Sequence, residues 1–238
     1  MLRGDFLRIC GLQKLAMVDY PGKLAATVFT GGCNLRCPFC HNALLVTKQN
    51  QNPESHTEEE ILTFLRSRKG LLDGMVLSGG EPLLQDGVPE FLKQVKALGL
   101  SVKLDTNGCY PDILAELLAR NLVDYVAMDI KNSREQYAKT VGLPDFDLAP
   151  IEKSIQLLKE SGIDYEFRTT VVREFHTAGD IRSIGIWCQG APRYFLQNFV
   201  DSGNLIGKDL HPVEPLELQA FAEAVRPYFK DVCLRGVD

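Results

Sequence analysis

The sequence has 238 residues, of which 45% are hydrophobic and 24% charged, and a formal net charge of −5. This length fits one large domain, and the acidic balance argues against general nucleic-acid binding, which needs many Lys and Arg side chains. No stretch approaches the roughly 18 uninterrupted apolar residues of a membrane span. The start has charges at Arg3, Asp5 and Arg8 where a signal peptide has an apolar core. We therefore expect a cytoplasmic protein with neither nucleic-acid nor membrane partners.

Apolar, strand-like runs alternate along the chain with amphipathic helical runs. The first strong strand ends in Gly31 and Gly32 and runs directly into a cysteine-rich loop. Thr57 and Glu60 have the spacing of a capping box at the first helix. In chain order, the sequence predicts strand 24–30, helix 57–68, strand 75–77, helix 88–98, strand 101–104, helix 111–120, strand 125–130, helix 150–161, strand 165–172, helix 178–189, strand 194–199 and helix 215–229.

Strands that alternate with helices indicate βαβ units and a parallel sheet. Six units are enough for an α/β fold of the partial (β/α)6 barrel type and too few for a closed eightfold barrel. We expect one domain, 1–238, with an N-terminal extension at 1–22, a barrel core at 23–200, and a C-terminal flap and helix at 201–238. The polar run 48–56 is predicted to be a mobile loop. Chemistry in such folds belongs at the C-terminal ends of the strands.

Three of the seven cysteines, Cys33, Cys37 and Cys40, have the spacing CxxxCxxC on one loop. Thiolates are the usual ligands of structural zinc and of iron–sulfur clusters. Structural zinc takes four ligands, and the only neighbouring fourth candidate is His41, which is badly placed because it adjoins Cys40. A four-iron cluster held by three cysteines leaves one iron open to a further ligand. Zinc or three buried cysteines remain the alternatives.

Two polar turns follow the next predicted strands. Gly79 and Gly80 would let a ligand approach the backbone closely, and Glu81 can accept a hydrogen bond or fix the turn. Asp105 and Thr106 precede an Asn-Gly turn signal. A plain turn is the alternative in both places, but a buried strand that ends in Asp is costly without a partner.

Two later strands also carry charged side chains. Asp129 and Lys131 are two residues apart, so they point to the same side of a strand. They form either a structural salt bridge or part of a binding site. Arg168 interrupts an apolar strand. If it points inward it needs a carboxylate partner such as Asp105 or Asp129, and if it points outward it lies against a helix.

The CxxxCxxC loop, with Phe39 before its third cysteine, resembles the signature of the radical S-adenosylmethionine (SAM) superfamily. The order Cys-His-Asn, SGGEPLLQ, LDTNG and AMDIK is similar to that of glycyl-radical-enzyme activating enzymes. The opening GLQKL with VDYPG is most like the activating protein of anaerobic ribonucleoside-triphosphate reductase, and then like pyruvate formate-lyase activating enzyme.

This resemblance implies a [4Fe–4S] cluster on Cys33, Cys37 and Cys40, the catalytic cysteines, and SAM chelated by the open iron. Reductive cleavage of SAM would give a 5′-deoxyadenosyl radical that takes hydrogen from a glycine of a partner enzyme, with flavodoxin or ferredoxin as electron donor.

The resemblance also implies the SAM contacts. Gly80 would meet the amino group, Asp129 and Lys131 the ribose and carboxylate, and Gln197 and Phe199 the adenine. Asp105 and Thr106 would anchor SAM, with a monovalent cation as one means. The full set of implied cofactor-binding residues is Phe39, His41, Gly79, Gly80, Glu81, Asp105, Thr106, Asp129, Ile130, Lys131, Arg168, Gln197 and Phe199.

Two departures weaken the match to pyruvate formate-lyase activating enzyme, which has a histidine where this chain has Phe199. The segment Arg173–Phe175 also lacks the Pro-Gly of that enzyme. One rival is a radical SAM enzyme acting on a small molecule, such as a synthase of 7-carboxy-7-deazaguanine. A second rival is a non-catalytic iron–sulfur or zinc protein, which would have no need of the three later motifs.

Overall fold

The computed structural model describes residues 7–47 and 55–236, so most of the predicted loop at 48–56 lies outside the described residues. The strands are β1 (Ile9–Ala16), β2 (Ala25–Thr30), β3 (Gly74–Gly79), β4 (Ser101–Thr106), β5 (Tyr125–Asp129), β6 (Asp164–Val171), β7 (Arg193–Asn198) and β8 (Asp231–Arg235). The helices are α1 (Ala43–Thr47), α2 (Glu58–Ser67), α3 (Val88–Ala97), α4 (Pro111–Ala119), α5 (Tyr137–Val141), α6 (Ala149–Glu160), α7 (Ala178–Trp187) and α8 (Pro215–Val225). Short 3-10 turns lie at Pro82–Leu84 and Arg226–Tyr228.

The strands form a sheet whose order is that of the chain, β1 to β8. β1 pairs antiparallel with β2, while β2, β3 and β4 pair in parallel. β6, β7 and β8 also pair in parallel. This mixed α/β fold with an open parallel sheet confirms the predicted fold class.

By its internal contacts, the chain divides into two compact units. The first unit comprises Met1–Asn34, Leu44–Thr106 and Tyr110–Val126. In this unit α2 begins at the predicted capping box: the Thr57 hydroxyl accepts from the Glu60 N–H, and the Glu60 carboxylate accepts from the Thr57 N–H. The apolar side of α2 is buried, as the helical spacing predicts, and consists of Ile61, Leu62 and Leu65.

The second unit comprises Leu35–Ala43, Asn107–Cys109 and Ala127–Asp238. Its core includes Phe167 of β6 and Tyr194 of β7, both fully buried. The Tyr194 hydroxyl donates to Thr169 at 2.7 Å, and the Tyr194 ring stacks on Phe229 with centroids 4.6 Å apart. Most of the cysteine loop belongs to this unit.

The structure adds elements that the hydrophobic pattern did not predict. β1 lies inside the segment interpreted as an N-terminal extension, and α1, α5 and β8 are too short to show a clear periodicity. The helix predicted at 215–229 ends at Val225. β3 and β4 run to Gly79 and Thr106, so Gly79, Asp105 and Thr106 are strand residues. Within the described residues, no helix is long and apolar enough to cross a membrane.

Candidate active site

The predicted ligand cysteines follow β2. None of the seven cysteines forms a disulfide. Cys37 is buried, and Cys33 and Cys40 are half-buried. Cys33 falls in the first unit and the other two in the second. Across the described ranges, no three His, Cys, Asp or Glu side chains are grouped as a metal site, so the metal centre on these cysteines stays a prediction.

In the first unit, the two glycines after β3 allow two backbone segments to approach each other. The Gly80 N–H donates to the Thr30 carbonyl at 2.9 Å, and the Glu81 N–H donates to the Gly32 carbonyl at 2.7 Å. A Cβ on Gly80 would lie 1.8 Å from the Gly32 oxygen, and one on Gly79 would lie 2.3 Å from the backbone of Thr30. Glycine is therefore required at both positions, because a second backbone segment lies too close for a side chain. One of the residues approached, Gly32, directly precedes Cys33.

The Glu81 side chain faces the protein interior and is fully buried. Its Oε1 accepts from the Leu83 N–H at 3.1 Å and from the Thr106 hydroxyl at 2.8 Å. These contacts meet both roles predicted for Glu81, since it accepts hydrogen bonds and thereby fixes the turn. Thr106 shares in that role.

Asp105 also has partners within the first unit. The Ser78 hydroxyl donates to its Oδ2 at 3.2 Å, and the Lys103 ammonium forms a salt bridge with its Oδ1. The Lys103 side chain is only 2% exposed. Sequence reasoning missed Lys103, although its place two residues before Asp105 puts both on one side of β4. The Lys103 ammonium therefore already pairs with Asp105, the carboxylate at which a monovalent cation is expected.

In the second unit, Asp129, Lys131 and Arg168 form a charged cluster. The Lys131 ammonium lies 2.9 Å from Asp129 Oδ2, and the Arg168 Nε lies 3.0 Å from Asp129 Oδ1. Arg168 therefore points toward a carboxylate, the first of its two predicted orientations. Ile130 between them is fixed to β6, since its N–H donates to the Arg168 carbonyl and its own carbonyl accepts from Thr169.

This cluster holds Asp129 and Lys131 in their charged forms. Burial alone would raise the pKa of Asp129, but Arg168 and then Lys131 outweigh it and hold that pKa well below its usual range. Burial alone would lower the pKa of Lys131, but Asp129 and Cys37 outweigh it and the pKa is raised. The result is a positive side chain that pairs with an anion and that interacts electrostatically with Cys37 and Cys40 of the cysteine loop.

The cysteine loop packs within the second unit through its aromatic residues. The Phe39 ring contacts Phe175, with centroids 5.8 Å apart, and the edge of His176 at 6.4 Å. Burial raises the pKa of the Cys40 thiol, while a hydrogen bond from Asn42 and the charge of Lys131 act in the opposite direction.

The two residues assigned to the adenine end differ in accessibility. Phe199 is 1% exposed and lies against the exposed His41, with ring centroids 5.7 Å apart. Stacking of adenine on Phe199 is therefore unsupported, and His41 offers the accessible ring. Gln197 is half-buried on β7.

A family model described as "Radical SAM superfamily" matches residues 27–182. The chain belongs to this superfamily. A protein of Methanocaldococcus jannaschii named "Putative glycyl-radical enzyme activating enzyme" is 33% identical to this radical SAM protein over 240 residues, 97% of this chain and 96% of that protein. The pyruvate formate-lyase-activating enzyme of Staphylococcus epidermidis is 30% identical over 172 residues, 67% of this chain and 66% of that enzyme. These relatives place the radical SAM protein in the family of glycyl-radical-enzyme activating enzymes.

Solved structures confirm the fold of this radical SAM protein. SuiB of Streptococcus suis bound to S-adenosylmethionine gives a TM-score of 0.67 at 17% identity, over 86% of this chain and 48% of SuiB. This chain thus spans about half the length of SuiB. A domain of pyruvate-formate lyase-activating enzyme from Bacteroides vulgatus gives a TM-score of 0.55 at 18% identity, over 68% of this chain and 99% of that domain. At these identities the likeness concerns the fold alone.

Proposed function

We propose that this radical SAM enzyme generates a glycyl radical on a partner protein. The observation that carries the proposal is the 33% identity, over almost the whole of both chains, to a protein named for glycyl-radical enzyme activation. The superfamily combines a [4Fe–4S] cluster with SAM. When bound, these groups supply a 5′-deoxyadenosyl radical by one-electron reductive cleavage of SAM, leaving methionine; hydrogen taken from a glycine Cα of the partner then gives 5′-deoxyadenosine.

The chain's own residues fit these groups by their chemistry. Cys33, Cys37 and Cys40 offer three thiols outside any disulfide, and thiolates are the ligands of such clusters. Burial raises the pKa of the Cys40 thiol, and the charge of Lys131 acts against that effect, in the direction of the thiolate form. We propose that these three cysteines hold the cluster.

For SAM, we propose that the charged cluster of the second unit receives its polar groups. Lys131 would bind the carboxylate and Asp129 the ribose hydroxyls, because a cation and an anion each match one of these groups. Arg168 would keep Asp129 ionised. In the first unit, the backbone at Gly79 and Gly80 would meet the amino group, while Glu81 and Thr106 shape that turn.

We propose anaerobic ribonucleoside-triphosphate reductase as the partner, with flavodoxin or ferredoxin as the reductant. Support comes from the opening GLQKL and VDYPG segments, which lie within the span shared with the Methanocaldococcus relative. The Phe199 position and the Arg173–Phe175 segment weigh against pyruvate formate-lyase.

The test is to incubate the reconstituted, reduced enzyme and SAM with each candidate partner and to record the electron paramagnetic resonance spectrum. A glycyl radical signal on the reductase and none on pyruvate formate-lyase is expected. A matched control replaces the radical-bearing glycine of the reductase by alanine. A new small-molecule product with no protein radical would favour the rival enzyme class, and a signal on pyruvate formate-lyase alone would overturn the choice of partner.

A further inference from the structure

His176, five residues beyond the end of β6, is a buried histidine to which neither the motifs nor the proposed chemistry assigns a role. It is 3% exposed. Its Nε2 lies 2.9 Å from the carbonyl oxygen of Lys131, and its Nδ1 lies 3.1 Å from the backbone nitrogen of Val172. One ring therefore joins the segment after β5 to the segment after β6.

These contacts fix the form of the imidazole. A carbonyl oxygen carries no proton, so Nε2 must donate to Lys131. In a neutral ring Nδ1 then accepts from the Val172 N–H. The Val172 carbonyl is also 3.2 Å from Nδ1 but could be used only by the doubly protonated ring. Burial lowers the pKa of His176, which favours the neutral ring with its single proton on Nε2.

The surroundings of His176 hold its ring in place. The Phe39 ring of the cysteine loop packs against the edge of His176 and against Phe175. The Asn132 amide, next to Lys131, donates to the Phe175 carbonyl and to the Thr140 hydroxyl, both at 2.8 Å. The histidine thus stands between the aromatic residue of the cysteine loop and the main chain that carries the Lys131 ammonium.

We propose that His176 is a positioning residue for the SAM site, fixing the main chain of Lys131 through its Nε2–H while its ring supports Phe39. This inference rests on the proposed function, in which Lys131 binds the SAM carboxylate. His176 reaches the cofactor only through these two residues. Residues that orient a binding group in this way commonly change affinity when replaced, without touching the ligand themselves.

The test uses two amide variants that differ by one methylene. His176→Gln places an N–H donor where Nε2 stood and keeps the bond to the Lys131 carbonyl. His176→Asn keeps an acceptor for the Val172 N–H but is too short to reach Lys131. Each variant is reconstituted with iron and sulfide, and the dissociation constant of SAM is measured by equilibrium dialysis without reduction. Melting temperatures of both variants verify that they fold.

We expect His176→Asn to weaken SAM binding about tenfold, the lower range for residues that orient a binding group, and His176→Gln to stay near wild type. In a Lys131→Met background, His176→Asn should have little further effect, because residues that act through one another are non-additive. Equal affinity of the two variants for SAM, or additive losses of SAM affinity in the double variant, would overturn the inference. If the wild type binds SAM in that case, the proposed function stands. Absence of SAM binding by the wild type would overturn both.

Discussion

At the scale of single residues, the charged cluster shows how a half-buried carboxylate is kept ionised. Asp129 accepts from two cations whose side chains are 18% and 17% exposed, Lys131 and Arg168. Removing a carboxylate from such a cluster leaves two poorly solvated positive charges facing each other. Replacing Asp129 should therefore destabilise the second unit as well as remove a proposed SAM contact.

Asp129→Asn tests this cluster through its pH dependence. Because the folded pKa of Asp129 is lowered, its contribution to stability is complete above the unfolded value near 3.9 and is lost as the pH falls through the folded pKa. In urea unfolding, we expect the free energy of unfolding to fall by about 1–3 kcal/mol at pH 7. This loss should become smaller below about pH 4. The control Asp164→Asn, whose side chain is 71% exposed and 3.7 Å from Arg193, should change little. A loss that is the same at pH 3 and pH 7 would contradict this account.

Residue-scale reasoning from the sequence succeeded where chemistry is local. The Asp129–Lys131 spacing predicted a pair on one side of a strand. The salt bridge is present, although β5 ends at Asp129 and Lys131 lies beyond it. The Gly79-Gly80 motif was recognised in the sequence. The backbone that Gly80 approaches closely is that of Gly32 in the same chain, and no linear pattern reveals that contact. Lys103 was missed although its partner Asp105 lies two residues along the same strand. His176 was missed because its partners Lys131 and Phe39 are distant in sequence.

At the scale of elements, the segment between β7 and α8, residues 199–214, forms a strap tied to the rest of the second unit. The Asn198 side chain donates to the Val213 carbonyl at 3.0 Å and accepts from the Val213 N–H at 3.2 Å. The Gly207 N–H donates to the Pro38 carbonyl at 2.7 Å, inside the cysteine loop. The strap thus lies directly on the cysteine loop, in the region predicted to be a flap.

Asn198→Ala is expected to loosen this strap. Two buried hydrogen bonds contribute about 1 kcal/mol each, so amide hydrogen exchange at Val213 should accelerate about tenfold or more. The control is Arg173→Ala, which removes an exposed ion pair to Glu214 and should have a small effect. Unchanged exchange at Val213 in Asn198→Ala would show that other contacts hold the strap.

The main elements were predictable because strands and helices alternate with clear periods, and the capping box at Thr57 marked the start of α2. The edge strand β1 was not predictable, since its buried residues Ile9 and Cys10 are followed by the exposed residues Gln13–Leu15. Such a half-exposed edge strand lacks the continuous apolar run of the central strands. β8 is short and its side chains are mostly half-exposed.

At the scale of the whole molecule, family membership indicates the chemistry, and the proposed site contains residues of the types that this chemistry needs. The superfamily match spans residues 27–182, and the charged cluster and most of the cysteine loop come together within the second unit. The three cysteines are the point on which the account depends, because three protein ligands would leave one iron of the proposed cluster for SAM. A cysteine outside the loop provides a control for the loss of a buried thiol. Cys188 serves this purpose, because it is buried like Cys37.

The most direct measurement is the yield of 5′-deoxyadenosine. Wild type, Cys37→Ala and Cys188→Ala are reconstituted anaerobically with iron and sulfide, reduced, and mixed with SAM. The account predicts 5′-deoxyadenosine from wild type and Cys188→Ala, and only the background without enzyme from Cys37→Ala, which should still show a cooperative melting transition. A yield from Cys37→Ala equal to that of wild type, or none from a cluster-loaded wild type, would contradict it.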